Sequence, residues 1–248
     1  SGGVKRLTIT GTINGWNFQQ GVAGSHERLK LQEVVSWGSL RLGTPTVQGE
    51  YFKGTTNMAV NATDALDLTG TTCLASAFQD APAFNGAISN WDVSAITDLS
   101  SMFTGATSFN QPLTDWAPGN VTTMANMFAG ATAFNKDLTG WGNLSKVTTM
   151  AAMFDGASAF DGEVAWTNLE DLSTTEGMFN NADAFNQALD WPVTQPALTN
   201  TSGMFSGTAL FNGGVSTLDM SDVTDATDMF KNAAAFNQPV SAWTLGSA

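Results

Sequence analysis

One cysteine, one histidine, one tyrosine and nine basic residues are all that 248 positions offer of those types. A single cysteine, Cys73, excludes an internal disulfide. It sits among core-type residues in LTGTTCLASAF, which suits a buried structural thiol better than a reactive one. A single histidine, His26, beside Glu27 and Arg28, has no neighbouring metal-ligand partners and reads as a solvated side chain. No apolar run approaches the roughly 18 residues of a membrane span, so membrane insertion is not expected. No apolar segment of a secretory leader follows Ser1-Gly2-Gly3, and the ending at Ala248 suggests an excised fragment or a processed product. With 12% charged residues and a net charge of −13, the chain repels nucleic acid and anionic lipid.

The scarce charge is unevenly placed. Residues 1–53 hold six basic and three acidic groups, a net of +3; residues 54–248 hold three and nineteen, a net of −16. Two parts with different surfaces follow from this. Residues 4–20 alternate in polarity with turn signals at Gly11 and Asn14-Gly15, and Leu29 to Gly38 reads as a further strand. No repeat register is clear before Tyr51, so residues 1–50 are expected to be a small β-rich N-terminal cap.

What the chain does have is a period. Met-Phe recurs with its Phe at 103, 128, 154, 179, 205 and 230, at intervals of 25, 26, 25, 26 and 25. A second set, Phe84, Phe109, Phe134, Phe160, Phe185, Phe211 and Phe236, keeps step with it. An apolar residue lies four places after each of these, and a tryptophan follows at 91, 116, 141, 166, 191 and 243. A fixed period in this range defines a solenoid, in which stacked rungs bury columns of side chains that no single rung could enclose. Residues 51–248 therefore hold about seven to eight repeats. Met124, Met127 and Phe128 at i, i+3 and i+4 predict a short helix, with Gly130 as its stop. The expected fold is an α/β repeat solenoid, with short parallel strands on one face and short helices on the other.

Several columns carry candidate chemistry. Asn85, Asn110, Asn135, Asn186, Asn212 and Asn237, with Asp161 in one rung, form an asparagine column. Its amides suit the backbone groups of tight turns, and calcium is the functional alternative, although that ion prefers convergent carboxylates. The tryptophans read as core with their N–H groups paired to turn carbonyls, the alternative being a sugar-stacking platform. Ser89, Thr114, Thr139, Asp190, Ser216 and Ser241 stand beside the inward aliphatic residues and are the candidate ligand-facing positions, a smooth face suited to a peptide, a glycan or ice. Asp137, Glu163 and Asp190 come nearest to the paired carboxylates of a glycosidase, but nothing singles out a pair, and no enzyme is expected. Asn61, Asn120, Asn143 and Asn200 begin N-glycosylation sequons.

The pattern V-T-x-M-x-x-M-F-x-x-A-x-x-F-N-x-x-L-x-x-W, seen in VTTMANMFAGATAFNKDLTGW from Val121 to Trp141, resembles the repeat of bacterial surface proteins that belongs with the BspA-like leucine-rich repeats and the mycoplasma lipoprotein repeat DUF285. The resemblance covers residues 51–248, and Trp37-Gly38 and Asn61-Ala62-Thr63-Asp64 resemble the lead-in to such arrays. It implies a leucine-rich-repeat-like solenoid without cofactors, secreted or displayed on a cell or virion surface. Such a protein adheres to a cell-surface protein or glycan, or else builds an assembly with its partners. Thr175 and Thr201 in place of Met, and Leu218 in place of Trp, depart from the pattern.

Overall fold

The structure is a computed structural model that describes residues 29, 31–43, 48–189, 191 and 197–244. Residues 25 or 26 places apart lie over one another. Phe109 and Phe134 have ring centroids 5.8 Å apart, and Phe134 and Phe160 5.7 Å. Within a rung the two phenylalanines stack more closely, as at Phe103 and Phe109, 4.0 Å apart with planes 6° from parallel. Two lanes of parallel rings thus run from Phe78 and Phe84 to Phe230 and Phe236. From Phe78 to Phe211 every ring in them is fully buried. Each such side chain contributes roughly 1.5–3 kcal/mol of burial, and parallel stacking adds to it.

The segment expected to be helical is a run of tight turns. Ser76, Ser101, Asn126, Ala152, Gly177, Gly203 and Asp228, each two residues before the first Phe of its rung, take φ between 52° and 60°. Asp80, Gly105, Gly130, Gly156, Asn181, Gly207 and Asn232, two residues after it, take φ between 52° and 73°. An α-helix holds no such residue. The alternation sends every second N–H out of the rung. Asn126, Phe128 and Gly130 donate to the carbonyls of Ala151, Met153 and Asp155 in the next rung, at 2.9, 2.8 and 2.7 Å. The N–H groups between them close turns, as Met127 to Met124 and Ala129 to Asn126. A helix would spend all these donors internally and leave none to join the rungs. Thr139–Trp141 forms a single 3₁₀ turn.

The strands are also shorter than expected. Parallel contact is reduced to single-residue bridges along Cys73, Asp98, Thr123, Thr149, Thr174, Asn200 and Asp225. Two short strands, Glu33–Val34 (β1) and Ala59–Val60 (β2), pair in parallel, with Glu33 opposite Ala59. Arg41 bridges Asp67 in the same sense. Both offsets are 26, so the repeat register reaches back past Tyr51 into the segment expected to be a separate cap. The one or two strands expected over residues 4–20, and His26, lie outside the described residues. Trp37 packs on Phe52 and meets Trp91 edge-on at 5.7 Å and 75°. These two tryptophans are 54 residues apart, and no tryptophan lies between them in the sequence.

Candidate functional site

A row of hydroxyls runs along the outside of the stack. Thr97, Thr122, Thr148, Ser173, Thr199 and Thr224 each donate the side-chain O–H to the carbonyl of the equivalent residue one rung back, at 2.8–3.3 Å. Their own N–H groups go to the same carbonyls. The row is exposed except at half-buried Ser173. With the proton committed inward, each oxygen keeps lone pairs directed at solvent, so the row is an ordered line of acceptors. The sequence carries it at intervals of 25, 26, 25, 26 and 25.

Next along the chain, Asp98, Thr123, Thr149, Thr174, Asn200 and Asp225 accept the N–H two residues on, closing small side-chain turns that start each rung's turn run. The asparagine column is also a hydrogen-bond ladder. Asn85 Oδ1 accepts the N–H of Asn110 at 2.9 Å, and the pattern continues through Asn135, Asp161, Asn186, Asn212 and Asn237. Only the oxygen is used, which is why Asp161 serves as well as Asn. The ladder spends these oxygens on the backbone, and among the described residues no cluster of three metal-ligating side chains forms.

The candidate ligand-facing positions occupy corners. Ser89, Thr114, Thr139, Ser216 and Ser241 each follow the inward aliphatic residue, in a turn closed by the N–H at position 91, 116, 141, 218 or 243. Ser89 is half-buried and the other four are exposed; Asp190 lies outside the described residues. Asp137 Oδ1 accepts the Glu163 N–H at 3.0 Å, one more bond between neighbouring rungs.

The tryptophans point inward. Trp116, Trp141, Trp166 and Trp191 are at most 2% exposed, and their indole N–H groups donate to the carbonyls of Ile88, Leu113, Leu138 and Val164 at 2.8–3.0 Å. A ring so buried offers no face to a sugar. Trp37 and Trp91, the pair that meets edge-on, are the described residues whose buried side-chain N–H finds no acceptor.

Where the turn runs carry Gly177 and Gly203 in place of the Asn126 and Ala152 of earlier rungs, the surface sinks into an open cavity of about 420 Å³. Glu176, Asn180, Asp225 and Asp228 are among the residues that line it. Lys231 Nζ pairs with Asp228 at 2.8 Å.

Two carboxylates fasten the first described rung to the second. Asp64 receives the Ser36 hydroxyl and the N–H groups of Trp37 and Gly38 at 2.7–3.0 Å. Burial opposes its charge, but these donors outweigh burial and hold its pKa below the ordinary value. Asp67 is held at about 2, first by the Thr69 hydroxyl and N–H and then by Arg41, whose Nε lies 2.6 Å away. Cys73 is half-buried rather than buried, and desolvation raises its thiol pKa. Of the sequon residues, Asn120 is engaged at both ends, donating to Ser94 O and accepting from Lys146.

Every one of these columns recurs at one period, which defines a repeat protein. The chain matches the family described as "Mycoplasma protein of unknown function, DUF285" over residues 48–168 and 176–248, and it belongs to that family. No curated protein and no solved structure matches it significantly. The unmatched residues between the two stretches, 169–175, include Thr175, whose buried hydroxyl donates to Met204 Sδ; the rung before carries Met150 at this place and the rung after carries Thr201.

Proposed function

We propose that the chain is a non-enzymatic recognition module, displayed outside the cell, that binds an extended protein or glycan along its repeat surface, on a leucine-rich-repeat-like solenoid. The observation that supports this most is the hydroxyl row from Thr97 to Thr224. Each acceptor is fixed by its own bond to the preceding rung, so a ligand meets side chains whose ordering entropy is already spent. A line of acceptors at one per rung fits a partner with donors at a matching repeat, such as sugar hydroxyls or the N–H groups of an extended peptide. No step of chemistry is asked of the site, since uniform columns do not assemble the asymmetric pocket that catalysis needs.

The test is a screen of the whole chain against a broad glycan and host-protein array, followed by two variants. Thr122→Lys with Thr148→Lys places long charged side chains on the hydroxyl row; Thr114→Lys with Thr139→Lys does so on the corner row. Loss of saturable binding in the first pair with retention in the second is expected. Loss only in the second pair moves the ligand to the corners, and an array without any saturable hit removes the recognition function.

A further inference from the structure

We propose that Asn85 and Asn212 are sites of self-catalysed deamidation, each converted to aspartate within the asparagine ladder by the glycine that follows it. The inference uses the ladder and not the hydroxyl row, so it stands apart from the ligand proposed above.

Glycine follows a ladder residue at three places, Asn85-Gly86, Asp161-Gly162 and Asn212-Gly213. Elsewhere the next residue is Gln111, Lys136, Gln187 or Gln238. The same three ladder residues are set apart by their bonds. Asn85 Oδ1 accepts the Asn110 N–H and Gln111 Nε2, each at 2.9 Å. Asn212 Oδ1 accepts the Asn237 N–H at 2.9 Å and Gln238 Nε2 at 3.1 Å. Asp161 Oδ1 receives the same pair from Asn186 and Gln187. The oxygens of Asn110, Asn135 and Asn186 each take one donor among the described residues. A second donor therefore falls on the oxygen wherever glycine comes next.

That coincidence has a chemical consequence. Glycine has no Cβ to keep its main-chain nitrogen away from the side-chain carbonyl carbon. The N–H groups of Gly86 and Gly213 donate to no acceptor among the described residues, so the attack breaks no structural bond. The glycine nitrogen gives its proton to water and bonds to Cγ of the asparagine, closing a succinimide ring. Negative charge develops on Oδ1, where two donors are already aimed, as in an oxyanion hole. Both asparagines are exposed, so Nδ2 takes a proton from water and leaves as ammonia. Water then adds to Cγ, the bond from Cγ to the glycine nitrogen opens, and that nitrogen regains its proton. One water is consumed and one ammonia released for each aspartate formed.

The ladder accommodates the product. Asp161 is that product in place, with both of its donors at 2.9 Å. Opening the ring at the main-chain carbonyl instead would give isoaspartate and lengthen the backbone by one carbon. The stack has no room for it: a Cβ on Gly213 would already collide with the Gln187 carbonyl, and one on Gly86 with the Val60 side chain. Each conversion adds one negative charge to the exposed ladder, and the two together take the chain from −13 to −15.

The experiment is a timed incubation of the full chain in mildly alkaline buffer, with and without urea, followed by peptide mapping in the mass spectrometer. In the folded chain Asn85 and Asn212 should each gain about 1 Da as aspartate, while Asn110, Asn135, Asn186 and Asn237 stay unchanged. Gln111→Leu should slow the reaction several-fold at Asn85 and leave Asn212 alone, and Gln238→Leu should do the reverse. The slowing should fall short of the roughly 10²–10³-fold lost with an enzyme's oxyanion donor, because both glutamines are half-exposed. The site left intact in each variant reports that the fold is kept. In urea, where the ladder is gone, neither substitution should alter the rates. Asn85 and Asn212 unchanged in the folded chain while the urea sample reacts overturns the proposal. So do folded-state rates indifferent to both substitutions, or isoaspartate as the main product, since either places the reaction in an opened chain.

Discussion

The Thr217 hydroxyl donates to the carbonyl of Leu189, the place that an indole N–H fills in the rungs around it. The Trp position of that rung is Leu218, which fills the volume and leaves the carbonyl without its usual donor. Thr217 supplies the donor from one residue earlier. Thr217→Val should then cost about 1–2 kcal/mol, since it strands a carbonyl away from water. Adding Leu218→Trp to that variant should recover most of the loss by restoring the indole. Urea unfolding of the two single variants and the double measures the coupling. If the double variant is no more stable than Thr217→Val alone, the exchange of roles is wrong.

Asp161 makes the same point about the asparagine ladder. It accepts the Asn186 N–H and the Gln187 Nε2 group, both at 2.9 Å, and no ladder bond uses an Asn Nδ2 donor. Asn135→Asp at neutral pH should therefore change stability by less than about 0.5 kcal/mol. Asn135→Leu removes the acceptor for the Asp161 N–H and should cost about 1 kcal/mol. Equal losses in the two variants would show that the amide nitrogen matters after all.

The columns were legible because a period is a long-range signal. Phe109 and Phe134 could be set over one another from their spacing alone. The local backbone was not legible, for a physical reason. Met124, Met127 and Phe128 share a face in a helix, but three residues over one turn also share a face in consecutive β-turns, and a period of 3.6 cannot be resolved over so short a run. The decisive sign lay in the positions that take positive φ. Gly130, Gly156 and Asn181 allow it readily, but Ala152 and Ser101 occupy the same conformation and conceal the pattern. The candidate ligand-facing residues Thr114 and Thr139 sit at corners, whereas inter-rung pairing runs through Thr123 and Thr149. The hydroxyl row beside that pairing was open to view at Thr97, Thr122 and Thr148, and went unread because threonine is common throughout the chain.

Two glycines should respond unequally to the same substitution. A Cβ on Gly213 would lie 2.1 Å from the Gln187 carbonyl oxygen, a backbone atom of the rung below that cannot step aside. Gly213→Ala should destabilise by about 2 kcal/mol or more. At Gly203 the nearest atoms to a new Cβ are 3.9 Å away, and its φ of 60° is close to the 52° that Ala152 adopts at the same place in its rung. Gly203→Ala should cost only about 1 kcal/mol, the ordinary strain of a left-handed alanine. Thermal melts of the two variants decide it, and a greater loss at Gly203 would reverse the assignment of which glycine the stack requires.

Tyr51 is the sole tyrosine, so its ionisation can be followed in the ultraviolet without interference. It is fully buried, and its hydroxyl lies 3.1 Å from the Cys73 carbonyl and 3.3 Å from Gln48 Oε1. Burial deprives a phenolate of water and pushes the pKa up from 10.0 to about 12. Because the folded value lies above the unfolded one, the neutral phenol favours folding. Its contribution is fully present below about pH 10 and is lost as pH climbs towards about 12. Tyr51→Phe gives up the hydrogen bond and should cost about 1 kcal/mol at neutral pH. It also has nothing to ionise, so its melting temperature should fall less steeply than the parent's between these two pH values. A phenolate absorbance that rises with a midpoint near 10 in the still-folded chain, or parallel pH profiles for parent and variant, would show that this first turn run opens to water and does not seal the ring.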